Sequence, residues 1–270
     1  MNLEHSLATL PGLFWICLIL PASLALAGIF LARKLIAPNK RNPHHDIAHA
    51  ILGPVGTIFG ILGAFMVATT WHEYEDTSLN LHEESNALRS LYFNAEAFAP
   101  QTRDSIQTLC KNYRKAVLEN EWKIIQKGKD TLLGDATISQ LYKIYLSYPL
   151  ITEKERIYYR MSVEKLEKLR KYRELRIEDS CTGLLPLLWI LFLLGGTTLV
   201  TITLLMISSP GQTHALMVVL LAMLIGIMTF AIISLDFPFI GFTKMSTAPL
   251  DMIPMENMPL SLRAAASSGS

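Results

Sequence analysis

The sequence predicts an all-α integral membrane protein with four transmembrane helices and a water-exposed helical bundle between the second and third spans. Two observations carry this. The chain has 270 residues, 51% of them apolar and only 17% charged, a balance that favours the membrane class. The charges are also segregated: no Asp, Glu, Lys or Arg occurs from Ser6 to Ala32, from Ile47 to Trp71 or from Ser180 to Leu235. A hydrocarbon core of roughly 30 Å takes about 20 apolar residues as helix. The first two runs therefore hold one span each, and the third holds two divided by the polar break "SSPGQTH" (208–214).

The first membrane hairpin covers 1–71, with spans at about 11–33 and 48–71. Within the first span Ala25-Leu26-Ala27 has the small-x-small form of a signal-peptidase site. The residues before it include Glu4 and His5 and supply no positive n-region, so the segment reads as a span rather than a leader. The second span, "GPVGTIFGILGAFMVATTW", places Gly53, Gly56, Gly60 and Gly63 at offsets of three and four. Missing side chains permit close helix packing. The same span could instead line a pore, with Gly53, Gly56, Thr57 and Gly60 along it and Ile58, Ile61 or Phe65 as a hydrophobic constriction that gates by dewetting. His49 is its one ionisable side chain, and the lack of a mid-membrane carboxylate argues against active transport.

Residues 72–182 hold 18 of the 24 Lys and Arg and 18 of the 23 Asp and Glu. Their balance excludes a basic nucleic-acid surface. Tyr74, Leu81, Leu88, Leu91, Ala95 and Phe98 recur at helical intervals up to Pro100, so the second span continues outward as one long helix. A second helix over 101–127 carries Ile106, Leu109, Tyr113, Val117 and Ile124, and a third runs over 135–147. A fourth, 152–182, is expected to run straight into the third span. Its apolar residues Val163, Leu166, Leu169, Tyr172 and Leu175 step by threes, so its stripe drifts around the helix.

The second membrane hairpin covers 183–235, with spans at about 183–207 and 215–235, and a C-terminal clamp and flexible tail take up 236–270. The small polar end "RAAASSGS" reads as disordered or as an added remnant. Asp236 closes the last span at the negative end of its helix dipole, which requires a cation or backbone N–H groups to answer it. Pro238 stops the helix, and Pro238 and Gly241 turn the chain. Arg173 or Arg176 is the expected partner of Asp236, making a structural clamp.

Chemistry is sparse. "HHDIAH" (44–49) sets His45 and His49 four apart without the zinc-protease glutamate, and no metal site is assigned. Glu75, Glu83, Glu84 and Glu121 read as solvated faces or interhelix salt bridges. The three cysteines, Cys17, Cys110 and Cys181, form no disulfide or zinc pattern. No cofactor is expected and the chain does not read as an enzyme. Basic residues near span ends are more numerous on the bundle side, which puts the bundle and both termini in the cytoplasm.

Several blocks together resemble a family: "ILGAFMVATTWHEYEDTSLNLHEESNALRSLYFNAEAF", "YRKAVLENEW", "RKYRELRIEDSCTGLLPLLWILFLLGG" and "LDFPFIGF". They are similar to the bestrophin-like family of bacterial membrane proteins, over about residues 45–250. The matching positions are Trp71, Glu84, Leu88, Leu91, Tyr113, Glu121, Trp122, Arg173, Arg176, Pro186, Trp189, Asp236, Pro238, Phe239 and Gly241. Ser85-Asn86-Ala87 departs from the pattern, which has alanine directly after the glutamate.

The resemblance implies likeness to bestrophins, which are pentameric anion channels with cytoplasmic helices and a hydrophobic neck on the second span. The calcium-binding acidic cluster of the animal proteins is not recognisable. The expectation is a passive anion channel in the bacterial inner membrane, a cyclic homo-oligomer with the lipid bilayer and small inorganic ions as its other partners. One four-span chain cannot enclose a pore alone. The alternative is a non-conducting scaffold or stator-like energy-coupling subunit.

Overall fold

The protein is described by a computed structural model covering residues 12–35, 45–127, 135–206 and 211–251. Residues 208–210 of the polar break, His44, the side chains of His45 and His49, and the tail beyond Asp251 lie outside the described residues, while 211–214 of that break already belong to a helix. Among the described residues the structure is helical and has no strand. Four helices are long and apolar enough to cross a membrane, over Leu13–Lys34, Ala50–Ala97, Glu153–Leu205 and Gln212–Asp236. The chain divides into two compact units, one of residues 1–74 and 183–244 and the other of residues 75–182 and 245–270.

The membrane unit contains α1 (Leu13–Leu35), the first part of α2 (His45–Asn94), α7 (Pro186–Leu205) and α8 (Gly211–Asp236). Its core gathers Phe59 and Met66 of α2, Trp189, Phe192 and Leu199 of α7, and Ile232 of α8. The rings of Phe59 and Phe192 lie 5.0 Å apart. α1 packs closely on α8, and the local cause is a proline. Pro21 lacks the N–H that would bond the Cys17 carbonyl one turn back. Gly226 of α8 lies against that freed carbonyl, so that a Cβ built on it would sit 1.9 Å from the Cys17 oxygen. Only a glycine fits there.

The helical unit contains the rest of α2, then α3 (Pro100–Ala116), a π-turn (Val117–Glu121), α4 (Trp122–Ile125), α5 (Asp135–Ser147) and α6 (Glu153–Cys181). Pro100 opens α3 at a position where its missing N–H costs nothing. α6 begins with a capping box. Thr152 accepts from the Glu155 amide, and the Glu155 carboxylate accepts from the Thr152 amide. Tyr148 O–H donates to the same carboxylate at 2.6 Å and accepts from the Ala99 amide. The Tyr148 hydroxyl, followed by the Thr152 amide, pulls the Glu155 pKa down to about 2. One carboxylate thus ties the starts of α3 and α6 to the end of α5. After the last span the chain rejoins this unit: Leu250 in α9 (Ala248–Asp251) is fully buried, and Arg114 Nε donates to its carbonyl at 2.8 Å.

The helix boundaries differ from the sequence reading in two places. α6 does not run straight into the third span, because Thr182 and Leu185 are extended before Pro186, which disfavours helix at the residue preceding it. α3 does not continue to 127 as regular α-helix but passes through the π-turn, with the Trp122 amide reaching back five residues to the Val117 carbonyl. Its buried face carries Cys110 and Ile125 rather than Leu109 and Ile124.

Gly226→Ala should force α1 and α8 apart and lower stability by about 1–3 kcal/mol, the usual cost of overpacking. Thermal unfolding of the purified protein in detergent measures it, and an unchanged midpoint would refute the close approach.

Candidate functional site

Glu84 of α2 and Glu121 of the π-turn carry the deepest polar contacts of the helical unit. Along α2 the buried positions Thr77, Leu81, Glu84, Leu88, Leu91 and Ala95 alternate by four and three, so Glu84 occupies a core position. Along α6 the buried positions are Ser162, Leu166, Leu169, Arg173 and Arg176, again by four and three. From the facing chain the π-turn delivers Glu121 and Trp122, both buried.

The four charges interlock. Arg176 donates from Nε to Glu84 Oε2 at 2.6 Å and from Nη2 to Glu84 Oε1 at 3.1 Å and Glu121 Oε2 at 2.8 Å. Arg173 donates from Nη2 to the other Glu121 oxygen at 2.9 Å and from Nη1 to Asp135 at 2.6 Å. Tyr113 O–H donates to Glu84 Oε1 at 2.7 Å. Glu84, Glu121 and Arg176 are fully buried and Arg173 nearly so, while Asp135 is half exposed.

For Glu121 and Arg176 burial opposes the charged form, and the partners decide otherwise. For Glu121 burial raises the pKa, but Arg176 and Arg173 together outweigh it and hold the carboxyl below its usual value. For Arg176 burial lowers the pKa, and Glu84, with Tyr113 and Glu121, more than restores it. Burial, reinforced by the Glu84 charge, pushes Tyr113 far up, so its phenol stays a donor. With the Glu121 pKa held down and the Arg176 pKa held up, these two groups act as counter-charges rather than as a general acid or base near neutral pH. The network can hold three helices in one register. Of the two readings for these glutamates, Glu84 and Glu121 take the interhelix salt bridge, buried rather than on a solvated face, whereas Glu75 is exposed.

In the membrane unit the predicted second-span residues separate onto different faces. Ile58, Ile61 and Phe65 lie on one stripe of α2 and are 68%, 65% and 58% exposed. At about 100° per residue, the face bearing Gly53, Gly56, Thr57 and Gly60 is centred about 120° further around the helix, where those residues border a cavity with α7 and α8. Gly63 is buried against Phe192 and Met228. The stripe of Ile58, Ile61 and Phe65 and the glycine face are thus separate features, which spacing along the sequence did not distinguish.

The acid at the end of the last span is answered by a backbone amide. Leu184 N–H, just before α7, donates to Asp236 Oδ1 at 2.9 Å, and Gly183 leaves room for the carboxylate, since a Cβ there would stand 3.2 Å from Oδ2. Asp236 is at the unfavourable end of α8 but beside the N-terminal end of α7, where a negative charge is stabilised. Arg173 and Arg176 have their carboxylate partners within the helical unit. Beyond Asp236, Phe239 and Ile240 are buried, the Ile240 amide closes a turn on the Phe237 carbonyl, and Gly241 takes φ +79°, a conformation that glycine adopts without strain. Among the described residues no group of His, Cys, Asp and Glu could hold a metal. The polar contacts of His214 and Thr203 at the cavity's end were not foreseen; a histidine beside a proline-containing break reads as loop.

A sequence profile of the bestrophin-like domain matches residues 19–250. The chain belongs to the bestrophin-like family. Solved structures agree in fold. A single-substitution variant of a bacterial bestrophin homologue from Klebsiella pneumoniae superposes with a TM-score of 0.67 at 9% identity, covering 95% of this chain and 99% of that one. The same organism's homologue in another crystal structure gives 0.65 at 9% identity, covering 88% and 94%. A further membrane protein gives 0.61 at 11%, covering 89% and 95%. No curated protein matches the sequence significantly. With four apolar helices and this family, the chain is a membrane protein.

Arg176→Met should destabilise the protein by about 3–5 kcal/mol, because it strands Glu84 and Glu121 without their shared cation. Denaturant titration of the purified protein measures this. The pH dependence has a definite sign. Because the Glu121 pKa is depressed in the folded state, its contribution is complete above the unfolded value of about 4.3. It is lost as pH falls from there through the folded value, and Glu121→Gln should flatten that acid limb. An acid limb identical to wild type would refute the assignment.

Proposed function

We propose that the chain is a subunit of a passive ion channel, preferring anions, built as a cyclic homo-oligomer with the second span lining the pore. The observation that carries this reading is the exposed stripe of Ile58, Ile61 and Phe65 on α2. These large apolar side chains are exposed in one subunit, and no Asp, Glu, Lys or Arg interrupts the span from Ile47 to Trp71. Arranged around a symmetry axis they form a ring that closes by dewetting and opens by small displacement. The channel class and the anion preference follow from the likeness to bestrophins, and so does a pentamer. The distribution of basic residues supports an inner-membrane location with the helical unit and both termini in the cytoplasm.

Asp236, with Pro238 and Gly241, serves as a fastening in this reading. It ties the end of the fourth span to the start of the third, as the Leu184 bond indicates. Arg173 and Arg176 serve as fastenings through their glutamates rather than as ion-binding sites, since their positive charge is matched by buried carboxylates.

Purified protein in planar bilayers should give current whose reversal potential follows the chloride gradient. Ile61→Ala and Phe65→Ala should each raise basal current at least severalfold, because a narrower apolar ring gives the larger barrier to wetting. Absence of current under every salt gradient, with a second membrane chain co-purifying, would transfer the assignment to the non-conducting scaffold. Unchanged currents in both variants would remove Ile61 and Phe65 from the constriction.

A further inference from the structure

A half-open cavity of about 800 Å³ lies along the membrane unit, walled by α2, α7 and α8. One wall is bare backbone: a Cβ built on Gly53 or Gly60 would meet nothing within 4 Å, and one on Gly56 would meet only Leu199 Cδ1 at 3.8 Å. The space is thus held open by absent side chains. Its lining is mostly hydrocarbon, and water, which needs two to four polar partners, is a poor occupant of such a surface.

The lining is graded along its length. Thr213 and His214 border the cavity at the beginning of α8, and Leu221, Ile225 and Met228 border it deeper in the same helix. At about 1.5 Å per residue the distance from His214 to Met228 is about 21 Å, the scale of a long acyl chain rather than of a small polar solute.

His214 is 7% exposed, and its Nε2 lies 2.9 Å from the Thr203 carbonyl oxygen. A carbonyl only accepts, so Nε2 carries the hydrogen. Nδ1 is then a buried acceptor in the neutral ring, and among the described residues it has no hydrogen-bond partner. The neighbouring hydroxyls do not serve it, since Thr203 donates to the Leu199 carbonyl and Thr57 to the Gly53 carbonyl. A buried polar nitrogen left in this state destabilises the fold unless a ligand answers it.

We propose that this cavity binds a long-chain fatty acid, with its carboxyl group at His214 and its chain along the glycine wall toward Met228. A carboxyl group suits this histidine in both of its states. As the neutral acid it donates its O–H to Nδ1, and as the carboxylate it accepts from Nδ1–H of the imidazolium, so the pair shares one proton either way. The apolar surface of a neighbouring subunit would cover the wall but leave Nδ1 unanswered. The inference concerns the glycine face of α2 rather than the stripe of Ile58, Ile61 and Phe65, and it holds whether or not that stripe conducts.

The test is binding of isotopically labelled palmitate to the purified protein in lipid nanodiscs, with palmitate methyl ester as the comparison ligand. Saturable binding is expected, with the ester weaker because it has no proton to share. Gly60→Leu, which fills the cavity, should abolish binding. His214→Ala should weaken it about tenfold and remove the preference for acid over ester. Size-exclusion profile and melting temperature confirm that each variant is folded, and Gly53→Leu replaces Gly60→Leu if the latter is not. Unsaturable binding, or equal binding by folded cavity-filled and unfilled protein, overturns the proposal. So does high-yield disulfide cross-linking of Gly60→Cys to a second copy, which assigns the wall to a subunit interface.

Discussion

The helical unit is organised by the pairing of two glutamates with two arginines out of reach of water. Glu84 and Glu121 share Arg176, and Arg173 takes the remaining oxygen of Glu121 together with Asp135. Desolvating four charges costs several kcal/mol per ion, and their attraction offsets this only when the geometry is good. Here each hydrogen bond lies between 2.6 and 3.2 Å, and both carboxylates are engaged at both oxygens. Apolar residues of similar volume could be at least as stable. What apolar residues would not supply is register: a slide of one turn along α2 or α6 would carry a guanidinium away from its carboxylate and leave charges buried alone. The π-turn belongs to the same constraint, since it sets Glu121 and Trp122 on the buried side together.

Polar fastening recurs in the membrane unit in a different form. Asp236 is held by the Leu184 amide near the N-terminal end of α7, and Gly226 meets the carbonyl that Pro21 leaves unbonded. In hydrocarbon, backbone groups that lose an internal partner are costly, so a proline in a span needs an accommodating neighbour. The Gly226 Cα–H beside the Cys17 oxygen supplies a weak one and, more importantly, lets the helices approach. Both cases place a small residue or an acid opposite a backbone irregularity. Packing of Phe59, Phe192 and Met66 then fills the remaining space.

The span count, the long outward helix and the turn after Asp236 were legible because each depends on local composition. Runs without charge mark spans, and proline and glycine mark ends. The ion network was harder because core positions were sought among apolar residues. The apparent drift of Val163, Leu166, Leu169, Tyr172 and Leu175 came from leaving out the true members of the stripe. With Arg173 and Arg176 included, Ser162, Leu166 and Leu169 continue in a regular alternation of four and three. Glu84 fills the matching gap between Leu81 and Leu88. Two amphipathic helices whose registers each break at a charge, opposite in sign, are a signal that sequence alone contains. The geometry that pairs them is not, because it depends on which helix faces which.

The second span shows the opposite limit. Its glycines and its large apolar residues interleave within one charge-free run, and periodicity assigns both sets to a helix without saying what each face meets. Only the positions of α7 and α8 separate them. The glycine face turns toward Leu199 and Met228, while Ile58, Ile61 and Phe65 remain uncovered. That separation allows the two faces independent tasks. A face needed for a constriction must present bulk and repel water, whereas a face needed for close approach or for a hydrocarbon ligand must present little. A substitution that enlarges Gly60 and one that shrinks Ile61 therefore act on different surfaces of the same helix, and their effects should combine additively unless the helix itself rotates.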